Sequence, residues 1–213
     1  MIMNEMRSIK LPAPRGIGNK TVMAALRERK TVRTISSKKL PIQLLSNLLW
    51  AGFGVNRKKG PLGIPGRTAG SASNSQEIDL YVAMEDGVYL YEAVPHRLVP
   101  VVSGDLRKLA INKGQDSIGD APVRIIYVVD MDKLVHSKGF KEPGLIDPEV
   151  QKAYYYVDCG WIAGNVAVYA ASIGLSDWFH NCQKDALHEK LKLRSDQRVL
   201  FAQTVGWPER GNI

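Results

Sequence analysis

At 213 residues with 45% apolar composition, the chain can bury one substantial core and is too apolar to be a disordered segment. Lysine and arginine total 29 against 21 acidic residues, and the formal net charge of +8 favours an anionic partner: nucleic acid, a membrane surface or a small phosphorylated cofactor. Cys159 and Cys182 are far apart and belong to no Cys/His cluster, which argues against a zinc site or a disulfide framework, so no metal is expected.

The first residues lack the apolar run of a secretory signal, although a chain trimmed of its signal would read the same. Later apolar stretches, such as 161–175, are too short and too polar to span a membrane. The expectation is a soluble, cytoplasmic protein, with residues 1–20 as an N-terminal extension and 21–213 as a single domain. Residues 21–30 and 41–54 read as helices, the second beginning at Pro41 with apolar residues at helical spacing. The loop 55–76 is rich in Gly, Pro and Lys and longer than a structureless connection usually is, so a functional role is expected of it.

Residues 78–102 are β-branched and aromatic, broken at Glu85-Asp86-Gly87, and read as a hairpin followed by a third strand after Pro95. A short helix is predicted at 105–114, ended by Gly114, and a fully buried strand at 121–131. The longest helix is predicted at 149–173, stopping at Gly174. A strand at 175–179, a helix at 184–193 and a strand at 197–207 complete the chain. Strands do not alternate strictly with helices and the 78–102 meander needs antiparallel pairing, so the pattern predicts an α+β layered domain over a doubly wound sheet.

No G-x-G-x-x-G, G-x-x-x-x-G-K-[ST], H-E-x-x-H or G-x-S-x-G motif is present. What remains is a cationic stretch and a polar loop. Arg29, Lys30 and Arg33, with the Thr31 hydroxyl, offer a guanidinium fork, a point charge and a short donor that suit a phosphate; equally, they read as a solvated helix end complementing the dipole. The small residues of 66–76 let backbone approach a planar ligand, with Ser71, Ser73, Asn74 and Gln76 as polar groups; they also suit a plain polar turn.

Taken in order, these pieces resemble the FMN-dependent nitroreductase superfamily. Its R-R-S-x-R motif is similar to Arg29-Lys30-Thr31-Val32-Arg33, and its P-S-x-x-N-x-Q segment to Gly70-Ser71-Ala72-Ser73-Asn74-Ser75-Gln76. The stretches LLWAGFGVN, RTAGSA, GVYLYEAVPHRLVPVVSGDLRKLA and GWIAGNVAVYAASIGL are similar to the branch containing peptide azoline dehydrogenases. The resemblance covers residues 21–208 and implies a three-layer α-β-α sandwich with a central, mostly antiparallel sheet, in a homodimer holding two FMN at its interface. Trp50, Phe53 and Trp161 also supply more apolar surface than a small monomer needs, although each one singly reads as ordinary core.

Position by position, the resemblance implies that Arg29, Lys30, Thr31 and Arg33 hold the FMN phosphate and ribityl chain. Ser71, Ala72, Ser73 and Asn74 would line the cofactor from the same or the partner subunit. Phe179, His180, Asn181 and Cys182 follow the long helix, where the family passes the flavin ring. His180 is a candidate proton donor or a structural histidine, and Cys182 a packing residue or a thiol near flavin. Thr replaces Ser, Lys replaces the second Arg and Gly70 replaces Pro; relatives continue to further basic residues where this chain offers only Arg210.

The implied activity is ping-pong electron transfer from NADH or NADPH through flavin N5 to a small-molecule acceptor, such as a nitroaromatic or a quinone, with no catalytic side chain required. Two alternatives stand beside it: FMN-dependent oxidation of azoline rings in a modified peptide, and a non-enzymatic nucleic-acid or anion binder. The last lacks a recognition motif, so neither nucleic acid nor membrane is expected as a partner.

Overall fold

The structure, a computed structural model, describes residues 6–16, 20–114, 120–140 and 145–209. Its centre is β7 (Val123–Asp130), buried at every position. That burial follows from its apolar run and from covered faces on both sides: Ile125, Tyr127 and Val129 point into one core, and Ile126 and Val128 into another. β7 pairs with β4 (Ile78–Ala83) on one side and β9 (Gln197–Gly206) on the other. Beyond β4 lie β5 (Gly87–Glu92), β6 (Arg97–Ser103) and β1 (Ile9–Lys10); beyond β9 lies the edge strand β8 (Ser176–His180). Each neighbouring pair is antiparallel.

On one face pack α1 (Val22–Glu28), α2 (Ile42–Phe53) and the long α4 (Pro148–Ser172), joining Leu48, Leu49, Ile162 and Val166 to Leu80, Val82 and Tyr127. On the other face α5 (Lys184–Lys190) covers Tyr81, Ile126, Val128 and Ala202 through Leu187 and Leu191. The result is the three-layer α-β-α arrangement. Pro148 occupies the first turn of α4, and Asp147 caps it through the Glu149 N–H. The α2 and α4 axes approach closely at Gly52, where a Cβ would lie 2.8 Å from Val166 Cγ2.

Four features depart from the sequence-based reading. The predicted helix 105–114 contracts to a 3₁₀ turn at Arg107–Ala110, because Asp105 accepts from both the backbone and the guanidinium of Arg107. The remaining guanidinium donors go to the carbonyls of Asp120 and Ala121. The 55–76 loop contains a two-stranded ribbon, β2 (Val55–Arg57) and β3 (Gly66–Arg67), and a short helix α3 (Met131–Val135) follows β7. Within residues 1–20, β1 extends the sheet by pairing with β6, and Leu11 is buried beside it. No helix among the described residues is long and apolar enough to cross a membrane.

Candidate functional site

α1 ends at Glu28, with the Arg29 N–H closing the last turn on Ala25 O at 2.8 Å. Arg29 and Lys30 are therefore outside the helix, and only Arg27 lies in its last turn. The extended segment that follows is laced to the sheet edge: Val32 N–H donates to Asp177 O at 2.9 Å, and Ser36 N–H to Trp207 O at 2.9 Å. This path brings Arg29 and Lys30 to a pocket of about 260 Å³ with Glu28, whose carboxylate is paired with Lys20, and with Ala167, Ala171, Gly174 and the buried Asp177. The carbonyl end of α4 favours cations there even without a ligand.

Asp177 is buried, and its Oδ1 accepts from Gln203 Nε2 at 2.6 Å. Burial raises its carboxyl to about 6, opposed by Gln203 and by the Arg29 charge. Gln203 in turn accepts a short hydrogen bond from Tyr127 Oη. A polar chain thus runs from the centre of the sheet to the cationic pocket. Arg33 leaves that pocket and lies over the Trp178 ring, 5.2 Å from its centroid, while Thr31 is exposed.

The 71–76 loop meets α4 near its middle, at Asp158. Ser73, Asn74 and Gln76 hold left-handed backbone (φ 49°, 55° and 52°), uncommon for residues with a Cβ and maintained only where surroundings over-determine it. The surroundings here are hydrogen bonds. Ser71 Oγ accepts from Gln76 N–H at 3.0 Å, and Ala72 N–H donates to Asp158 Oδ2 at 2.8 Å. Gln76 Oε1 accepts from Arg67 Nε at 2.6 Å, so its Nε2 is the donor, serving Pro65 O and Asn74 Oδ1. That leaves Asn74 Nδ2 as a buried donor with no partner.

The cationic pocket touches α4 at Ala167 and Ala171, whereas the loop touches it at Asp158. At the rise of an α-helix the two clusters are about 14 to 20 Å apart along one chain. Beside both clusters α4 turns an apolar face outward: Tyr154, Val157 and Trp161 are exposed, as are Val22, Met23 and Leu26 on α1. A cleft of about 650 Å³ lies there, lined by Trp50, Thr68, Trp161, Asn165 and Tyr169.

His180 is 6% exposed. Its Nδ1–H donates to Asn181 O and its Nε2 accepts from Thr204 Oγ1, each at 2.8 Å. Burial holds its pKa down to about 4, so at pH 7 the ring is neutral and its one proton is committed. Of the two readings of His180, proton donor and structural histidine, these contacts favour the second, at the end of β8. Asn181 Oδ1 accepts from Cys182 N–H, and burial pushes the Cys182 thiol up to about 11, leaving it unreactive at neutral pH. Arg210 lies outside the described residues.

His180 also sets an acid limit. Because its folded pKa is depressed, the unfolded chain takes up a proton first, and stability is lost as pH falls from 6.5 toward about 4. Its share is about 3 kcal/mol across that window. His180→Gln is expected to remove this loss, measurable by urea unfolding at pH 7 and pH 4.5; an unchanged acid slope would contradict it.

Arg67, Asp158, Asp177 and Gln203 were not singled out from the sequence; Gln76, the last residue of the quoted 70–76 motif, is the one supporting residue for which a signal existed.

The sequence pattern described as "Nitroreductase family" matches residues 26–207. A protein of Methanocaldococcus jannaschii named as a nitroreductase is 26% identical over 159 residues, covering 70% of this chain and 72% of that one. A crystal structure from Ralstonia eutropha, also named as a nitroreductase, superposes with a TM-score of 0.83 at 33% identity, covering 96% of this chain and 90% of that one. The Escherichia coli microcin synthetase McbBCD complex shares the fold, with a TM-score of 0.67 at 15% identity over 94% of this chain and 78% of that one.

Proposed function

This chain belongs to the nitroreductase family, and from that premise we propose that it binds FMN and passes electrons from NADH or NADPH to a small organic acceptor such as a nitroaromatic or quinone. The observation that carries the reading is the combination of a cationic pocket at Arg29 and Lys30 with an oriented, unpartnered amide at Asn74. These groups fit a ligand with an anionic phosphate at one end and a ring carrying acceptor atoms at the other.

When bound, FMN would supply the two-electron redox chemistry that links the nicotinamide to the acceptor. The protein's part is to bind and orient. Arg29 and Lys30 hold the phosphate, with Arg33 on Trp178 and Val32 on Asp177 fixing the segment they sit on. The buried, unpartnered Asn74 Nδ2 is the donor that the 71–76 loop would offer the ring, its direction set by Gln76 and Arg67. His180 keeps the end of β8 in place beside the pocket strand without moving a proton.

A homodimer accounts for the separation of the two clusters. Two copies meeting along α4 would cover Tyr154, Val157 and Trp161 and set the 71–74 loop of one chain toward the cationic pocket of the other. Gly160 and Gly164 lie in this helix, and a Cβ at either would meet nothing within 4 Å, so space for close helix approach exists on the outer side.

The absorbance spectrum of the purified protein tests the reading. Oxidised-flavin bands, with FMN released on denaturation, are expected; a colourless protein that takes up no FMN would overturn it. Nitroaromatics and quinones as acceptors, set against an azoline peptide as donor, then separate the substrate classes.

A further inference from the structure

Two carboxyl groups are buried beneath the 71–76 loop. Glu77 is fully buried at the entry to β4, and Asp158, 7% exposed, meets it from α4. Among the described residues no cation is paired with either. Two carboxylates so placed are strongly disfavoured, since burial penalises each charge and the charges repel.

The hydrogen bonds point the same way. Glu77 Oε2 accepts from Ser75 Oγ at 2.6 Å, and Asp158 Oδ2 accepts from Ala72 N–H at 2.8 Å. Counted as a carboxylate, Glu77 leaves Oε1 buried without a donor. A proton between the two carboxyls supplies the missing donor.

We propose that Glu77 and Asp158 share a single proton, and that this proton clamps the 71–76 loop in its ligand-binding shape. The inference rests on reading that loop as part of the cofactor site. The loop hangs from the pair at Ala72 and Ser75, which bracket the left-handed Ser73 and Asn74. Loss of the proton sets two negative charges in contact. Water must then enter to relieve them, competing for the Ala72 and Ser75 donors, so that the strained backbone relaxes and the Asn74 amide loses its aim.

The other groups facing the pair do not replace the proton. Cys159, from α4, is held as a neutral thiol by burial, and Ser75 is uncharged. The Glu77 carbonyl accepts the Asp130 N–H at 2.8 Å. Asp79, two residues along β4, is paired with Lys133 in a cluster with Asp130 and Arg194. Burial raises both Glu77 and Asp158 above the ordinary carboxylate range, which moves the release toward neutral pH.

Hydrogen exchange of the full chain, followed in the 71–77 segment from about pH 6 to pH 9 and corrected for intrinsic rates, tests the clamp. Wild-type protection is expected to fall about tenfold or more, while the β7 segment stays protected. Glu77→Gln gives Asp158 a permanent amide donor and should hold protection constant across the range. Asp158→Asn, whose Oδ1 still accepts Ala72 N–H, should do the same. A flat wild-type profile, or a Glu77→Gln profile that falls as the wild type does, overturns the proposal. FMN titration of the same samples keeps the two readings apart. Absence of FMN binding at every pH overturns the functional reading while the exchange profile still decides the clamp, and FMN affinity that does not weaken as protection is lost overturns the link between them.

Discussion

Arg29→Ala should weaken FMN binding by about 10- to 100-fold, and Lys30→Ala by a similar factor, whereas Arg27→Ala should change it by less than about twofold. The first two side chains line the pocket, and a charge-assisted hydrogen bond to phosphate contributes about 1.5–3 kcal/mol. Arg27 is an exposed residue of the last turn of α1, so its charge acts only through solvent and is screened within about 8–10 Å. Flavin fluorescence titration of the three variants at fixed ionic strength measures this. Equal losses at Arg27 and Arg29 would mean that the positive stretch acts as a diffuse field, and the phosphate assignment would fall.

Trp161→Glu should convert the protein to monomers at micromolar concentration and, with the same substitution, strip it of flavin. Trp161 is 62% exposed in the single chain, in the middle of the outward face of α4. In a two-fold assembly along α4 the new carboxylate would be buried once in each copy, at a cost of several kcal/mol, or on the order of a thousandfold in dimer affinity. Val94→Glu is the control: Val94 is 66% exposed in the β5–β6 turn, away from α4. Light scattering with flavin absorbance on both variants decides the matter. A Trp161→Glu dimer as tight as the wild type would place the interface elsewhere and leave the separation of the two clusters unexplained.

Arg29 and Lys30 were readable because their signal is local: consecutive cations past a helix end, in order with a polar loop downstream. What was not readable was their company. Asp177 enters the same pocket from a strand almost at the other end of the chain, and Arg33, counted with the cluster in sequence, turns away to Trp178. His180 was ambiguous for the same reason. Its neutrality comes from burial and from Thr204 on the neighbouring strand, neither of which its own sequence neighbours announce.

Local patterns were enough to place the elements and to give their class. Period-two and period-3.6 patterns, Pro41 and Pro148 at helix starts and Gly174 past the end of α4 act within a few residues, so the strands of the meander and the long helix could be placed without knowing their neighbours. The misplaced helix at 105–114 came from a local pattern overruled by a contact, the Asp105 and Asp120 claims on Arg107. Only the tertiary structure decided which distant residues share a site. Ala72 and Asp158 are 86 positions apart, and the carboxyl pair beneath the loop exists because α4 crosses the start of β4. The physical reason is that desolvation and charge repulsion depend on distance in space. Glu77 becomes a proton-holding group only because the fold removes its water and brings a second acid against it.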